Sequence, residues 1–135
     1  MLKKFSFSKK EKLKSRKQLA QLFATGKYFT TFPVKIFFIE NQKPEAINIK
    51  IGVGVSSRNF KKAVERNRIK RLLRETYRVN KMPLVDFIDG NKKNVSIFFL
   101  YIDKVMPTHV LLKSKMPVII DKLIKQLSET SITNT

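Results

Sequence analysis

Arg66, Lys70 and Arg74 stand four residues apart, and Asn67, Arg71, Arg74 and Arg78 recur at a matching helical period. At about 100° per residue, these side chains share an arc of roughly 140° on one helix. Like charges at i, i+4 repel by about 0.2–0.5 kcal/mol a pair, a cost that a bound polyanion turns into a gain. Arginine's planar fork can engage two phosphate oxygens at once. A solvated helix face usually mixes signs, and this one scarcely does. The chemistry offered is phosphate binding rather than bond making.

Catalytic groups are sparse. The chain has no cysteine and a single histidine, His109, which follows Pro107 in a stretch read as loop. A thiol nucleophile, Cys-ligated zinc and a disulfide scaffold are thereby excluded. The acids are few and scattered, with Asp86 and Asp89 the nearest pair. No general base or carboxylate cluster for a metal emerges, which disfavours a self-contained protein nuclease.

The wider balance agrees. In 135 residues there are 29 Lys+Arg against 10 Asp+Glu, a net charge of +19. Hydrophobic residues make up 42 %, enough for a core. Residues 1–18 and 58–78 each carry +7, so 14 of the 19 net charges lie in two segments. A folded domain charged in this way is built to meet nucleic acid. No apolar run reaches the roughly 18 residues that span a bilayer, and the N-terminus lacks the apolar stretch of a secretory signal. A cytoplasmic location without membrane contact is expected.

Elements must hold this charge in place. Residues 1–14 read as a basic arm, 15–128 as one RNA-binding domain and 129–135 as a polar tail. Ser15 and Gln18 form a capping box for a helix that Gly26 ends. Residues 34–40 form a strand, 41–45 a hairpin loop, and 47–56 a strand of clean alternation. Ile47, Ile49, Ile51, Val53 and Val55 point to the core, while Asn48, Lys50, Gly52 and Gly54 point away. A helix is expected from Asn59 to about Asn80, with Ile69, Leu72, Leu73, Thr76 and Tyr77 on its apolar arc. Pro83 stops it, 81–93 read as loop, and 95–102 form a buried strand. A last helix covers about 114–128, with Val118, Ile119, Leu123, Ile124 and Leu127 as its stripe. The order helix–strand–strand–helix–strand–helix gives an α+β sandwich. Its sheet carries helices on one face and leaves the other open toward RNA. Phe38 and Phe99 are assigned to the core. Phe37 shares the open face with Lys35, where it could either pack or stack a base.

The segment Ala63-Val64-Glu65-Arg66-Asn67-Arg68-Ile69-Lys70-Arg71-Leu72-Leu73-Arg74 resembles the RNR helix of the protein component of bacterial ribonuclease P. Ala63, Arg66, Asn67, Lys70, Arg71 and Arg74 match its A-x-x-R-N-x-x-K-R-x-x-R pattern. The resemblance extends from about Leu13 to Leu127. It includes Phe23-Ala24-Thr25-Gly26 and the strand Ile51–Ser56 leading into the helix. It implies a left-handed βαβ crossover, against the usual hand. It also implies a subunit of an endoribonuclease whose catalytic RNA, with Mg²⁺ held mainly by that RNA, removes the 5′ leader of precursor tRNA.

On that resemblance Arg58, Lys61, Lys62, Arg66, Asn67, Arg68, Lys70, Arg71 and Arg74 bind the RNA subunit, one protein per RNA. Leu19, Phe23, Lys35, Phe37 and Lys50 line a cleft for the single-stranded leader. No residue of this chain is expected to be catalytic or to bind metal. Two features depart from the family. Leu19 stands where Phe is usual, and Ser57-Arg58-Asn59-Phe60-Lys61-Lys62 replaces a shorter, Gly-containing basic segment. A non-catalytic, ribosomal-type RNA-binding protein would explain the charge and fold equally well, but not the specific helix pattern. A membrane-surface helix is a weaker rival, because its apolar stripe is needed to cover the sheet.

Overall fold

The computed structural model describes residues 16–40 and 48–133. The elements are α1 (Arg16–Thr25), β1 (Lys27–Thr31), β2 (Val34–Glu40), β3 (Asn48–Val55), α2 (Ala63–Asn80), α3 (Met82–Gly90), β4 (Asn94–Tyr101) and α4 (His109–Thr133). The strands form one sheet in the order β1-β2-β4-β3. β1–β2 and β2–β4 are antiparallel, and β3–β4 is parallel. A parallel pair needs a crossover, which α2 and α3 supply. The mixed α+β sandwich is as expected. The basic arm 1–14 and the Ser15 cap lie outside the described residues.

Hydrophobic alternation sets the core face. Val34, Ile36 and Phe38 of β2, Ile51 of β3, and Val95, Ile97, Phe99 and Tyr101 of β4 are all buried. Against them pack Ile69, Leu73 and Tyr77 of α2, Leu84 and Ile88 of α3, and Leu112, Met116, Ile119, Ile120, Leu123 and Leu127 of α4. Each such side chain contributes about 1.5–3 kcal/mol by leaving water.

Several expectations are corrected. β2 and β3 do not form a hairpin, because β4 lies between them. β1 is an additional strand, only five residues long and at the sheet edge, too short for alternation to reveal. α3 occupies most of the expected loop. Pro83 sits in its first turn, where proline's fixed φ is suitable and its missing N–H costs nothing. Thus Pro83 starts a helix rather than merely stopping one.

α2 begins at Ala63 instead of Asn59, because residues 56–60 form a turn. The Ser56 carbonyl accepts from the Asn59 and Phe60 N–H groups. α4 begins at His109, capped by Thr108, whose Oγ1 accepts from Leu111 N–H at 3.1 Å. It runs through Pro117 and continues over residues 129–133, within the expected tail 129–135. Pro117 is exposed, so water can satisfy the carbonyl it deprives. Val118 is exposed and leaves the apolar stripe, in which Ile119, Leu123, Ile124 and Leu127 are joined by Leu112, Met116 and Ile120. The helices also do not all share one face. The Phe23 ring of α1 meets Phe37 and Phe98, which point away from the core, so α1 covers part of the opposite face.

Candidate nucleic-acid interface

α2 packs by Ile69, Leu73, Thr76 and Tyr77. Asn67, Arg71 and Arg74 are exposed, and Arg66 and Lys70 are half-buried at the border of the packed side. Arg78 ends this flank and is engaged within the helix, its Nη2 lying 2.6 Å from Glu75 Oε1. That hydrogen bond holds the Glu75 carboxyl below its usual range, with a smaller contribution from His109 of α4. Arg68 is exposed but lies outside the ridge, on the same side as Glu75.

The loop that precedes α2 is fixed at several points. Arg58 N–H donates to Ser56 Oγ at 3.2 Å, and Asn59 Nδ2 donates to the Ile102 carbonyl at 3.3 Å. Phe60 is buried, with its ring 6.1 Å from that of Tyr101. Arg66 closes the loop. Its Nη1 donates to the carbonyls of Phe60 at 2.9 Å and Lys61 at 2.7 Å. Arg58, Lys61 and Lys62 are thereby presented, exposed, beside the start of the helix. The six-residue departure from the family pattern is thus an anchored turn. Phe60, an aromatic inside a basic run, is the signal that could have revealed it.

The other face of the sheet has a different character. Register places Tyr28 of β1 opposite Phe37 of β2, Phe37 opposite Phe98 of β4, and Phe98 opposite Gly52 of β3. Three aromatic residues therefore form a row across adjacent strands, ending at a glycine. The Phe23 ring stands over it, 5.0 Å from Phe37 and 5.2 Å from Phe98, both edge-on. Gly54 is needed here, since a Cβ would lie 2.5 Å from Phe98 Cζ. Phe23 remains 49 % exposed. Leu19, one turn earlier on α1, is half-buried on the same helix side. Lys35 stands in the row on one side of the aromatics and Lys50 in the row on the other, each about 7 Å along the strands.

The structure thus gathers Leu19, Phe23, Lys35, Phe37 and Lys50 around one surface. The basic residues of α2 and its loop lie on the opposite side of the sheet. Phe98 and Tyr28 belong to the aromatic surface and were missed. Phe98 sits in a run of hydrophobics with no alternation to orient it, and Tyr28 lies on the strand that sequence did not reveal. His109 is exposed, as a surface histidine, but at a helix start rather than in a loop. Among the described residues no group of three or more His, Cys, Asp or Glu side chains could hold a metal ion. No described helix is long and apolar enough to cross a membrane.

Comparison with known proteins gives the same direction. The family model for ribonuclease P matches residues 7–98. The ribonuclease P protein component of Porphyromonas gingivalis is 33 % identical over 103 residues, covering 76 % of this chain and 75 % of that protein. The component from Chlorobium phaeobacteroides is 32 % identical over 121 residues, covering 82 % and 83 %. The Staphylococcus aureus RNase P protein structure superposes with a TM-score of 0.67 at 18 % identity, covering 84 % of this chain and 94 % of that one. The Thermotoga maritima RNase P protein gives 0.63 at 22 % identity, covering 83 % and 96 %. The last two establish likeness of fold, and the matched family and relatives establish kinship: the chain belongs to the ribonuclease P protein family.

Proposed function

We propose that this chain is the RNA-binding subunit of a ribonuclease P holoenzyme and contacts two RNAs with two faces. The flank of α2 and the loop before it hold the ribonuclease P RNA, one protein per RNA. The aromatic face holds the 5′ leader of precursor tRNA. The observation that carries this reading is the row Tyr28–Phe37–Phe98 beneath Phe23, on the side of the sheet away from the basic helix. Splayed bases of a single strand stack on such rings, and flanking lysines track the phosphates. Mature tRNA lacks the leader, so this face favours substrate over product. Mg²⁺ and the hydrolytic chemistry are assigned to the RNA, in the cytoplasm. A ribosomal-type protein is not favoured, because the matched family and relatives are ribonuclease P components.

The test is reconstitution with a transcribed ribonuclease P RNA and precursor tRNA at low Mg²⁺. The holoenzyme should cleave where RNA alone does not. Cleavage independent of the added chain would refute the proposal.

A further inference from the structure

The aromatic row does not stop under α1. It runs on to Tyr28, on the edge strand, where the ring is 62 % exposed. Edge strands are usually protected by charge or proline, not by a large ring offered to solvent. Tyr28 is nevertheless held in place. Its ring centroid lies 5.9 Å from that of Phe37, and Lys35 Nζ sits 4.4 Å from the Tyr28 centroid and 5.1 Å from that of Phe37. Both distances are within cation–π range. One ammonium group therefore braces two neighbouring rings, and so reduces the ordering cost of any ligand that stacks there.

We propose that Tyr28 and Lys35 form an additional nucleotide subsite at the β1 edge. The base of a single-stranded RNA nucleotide stacks on Tyr28, and its phosphate is drawn to Lys35. The inference rests on the leader-binding reading above and deepens it. The subsite sits one strand beyond Phe37, so it adds a nucleotide at one end of the bound segment. Packing alone would not leave most of the ring in water.

The experiment measures binding of reconstituted holoenzyme to precursor tRNAs whose leaders grow from one to about eight nucleotides. The chains compared are the unsubstituted protein, Tyr28→Ala, Tyr28→Phe and, as a probe of the leader face itself, Phe37→Ala. Affinity should climb with leader length and then level off. Tyr28→Ala should level off one nucleotide earlier and bind the long leaders about fivefold or more weakly, the low end for one lost stack. Tyr28→Phe keeps the ring and should follow the unsubstituted curve.

If Tyr28→Ala follows that curve at every length while Phe37→Ala loses its length dependence, the subsite is wrong and the leader face stands. If neither variant alters the length dependence, the leader reading itself fails. If Tyr28→Ala weakens leaderless tRNA equally, Tyr28 serves another contact and the proposal is overturned.

Discussion

Arg66→Ala tests whether Arg66 shapes the proposed RNA-binding surface while its neighbours on the helix touch RNA. In the structure one guanidinium nitrogen, Nη1, is spent on the carbonyls of Phe60 and Lys61. Arg58, Asn59 and Phe60 have anchors of their own, in Ser56, Ile102 and the core. Losing Arg66 therefore frees chiefly Lys61, since the Lys62 carbonyl still accepts from the backbone N–H of residue 66. Re-ordering one residue on binding costs about 1–2 kcal/mol of backbone entropy, and part of that survives in the anchored turn. We expect RNA affinity to fall by about 1 kcal/mol, or roughly fivefold. Fold stability should drop by about 1 kcal/mol, since hydrogen bonds from a charged donor are worth about 1.5–3 when buried and less when half-exposed.

The salt dependence carries the distinction. Arg74→Ala removes an exposed group from the ridge and should flatten log K against log salt by about 0.7–0.9. Arg66→Ala should flatten it by less than half as much. Arg66→Lys keeps the charge but is one bond shorter, so its ammonium should hold the two carbonyls less well and give losses in stability and affinity between those of the unsubstituted protein and Arg66→Ala. Titrations of ribonuclease P RNA at several salt concentrations, with thermal melts alongside, provide the assay. If Arg66→Ala flattened the slope as Arg74→Ala does and left the melt unchanged, Arg66 would be a phosphate contact and this argument would fail.

Other expectations follow from the same coordinates. Phe23→Ala and Phe37→Ala should weaken holoenzyme binding of precursor tRNA by about 1–3 kcal/mol and spare mature tRNA. Phe38→Ala, on the core side of the same strand, should instead cost about 3–5 kcal/mol in chemical denaturation. Gly54→Ala drives a Cβ to 2.5 Å from Phe98 Cζ. The displaced ring should weaken leader binding while binding of the RNA subunit holds, as parallel titrations would reveal. Lys92 ends α3 with φ 52°, in a turn closed by Lys93 N–H to the Ile88 carbonyl and Lys92 N–H to the Asp89 carbonyl. Lys92→Gly relieves the left-handed conformation and should raise denaturation stability by about 0.5–1 kcal/mol. RNA-free, nuclease-free protein should leave precursor tRNA intact on a gel, and metal-dependent cleavage by it would overturn the assignment of chemistry to RNA.

Much of the fold was legible because burial imposes period. Strand β3 alternates, and its Ile49, Ile51, Val53 and Val55 do face the core. In α2 the arc of Ile69, Leu73, Thr76 and Tyr77 is buried as its spacing requires. Period fails for short or fully buried pieces. β1 has five residues, and α3 has nine, separated from α2 by Lys81 alone. Pairing order was out of reach for a different reason. A loop between two strands reads as a hairpin unless something indicates that a third strand intervenes, and the strand that separates β2 from β3 comes some forty residues later in the chain.

The same limit divides the site into a legible and an illegible half. The basic ridge is local, since one helix and its 3.6-residue period place Arg66, Lys70 and Arg74 together. The aromatic row is non-local. Tyr28, Phe37 and Phe98 become neighbours only when three strands pair in one register, and a slip of one residue would turn Phe98 into the core and Phe99 out of it. Glycine completes the arrangement, since Gly54 leaves the space that Phe98 fills. Residue types alone place Phe37 beside Lys35 on β2. What sheet pairing adds is extent, turning one ring into a row across three strands, the successive rings that the proposed stacking of single-stranded bases requires.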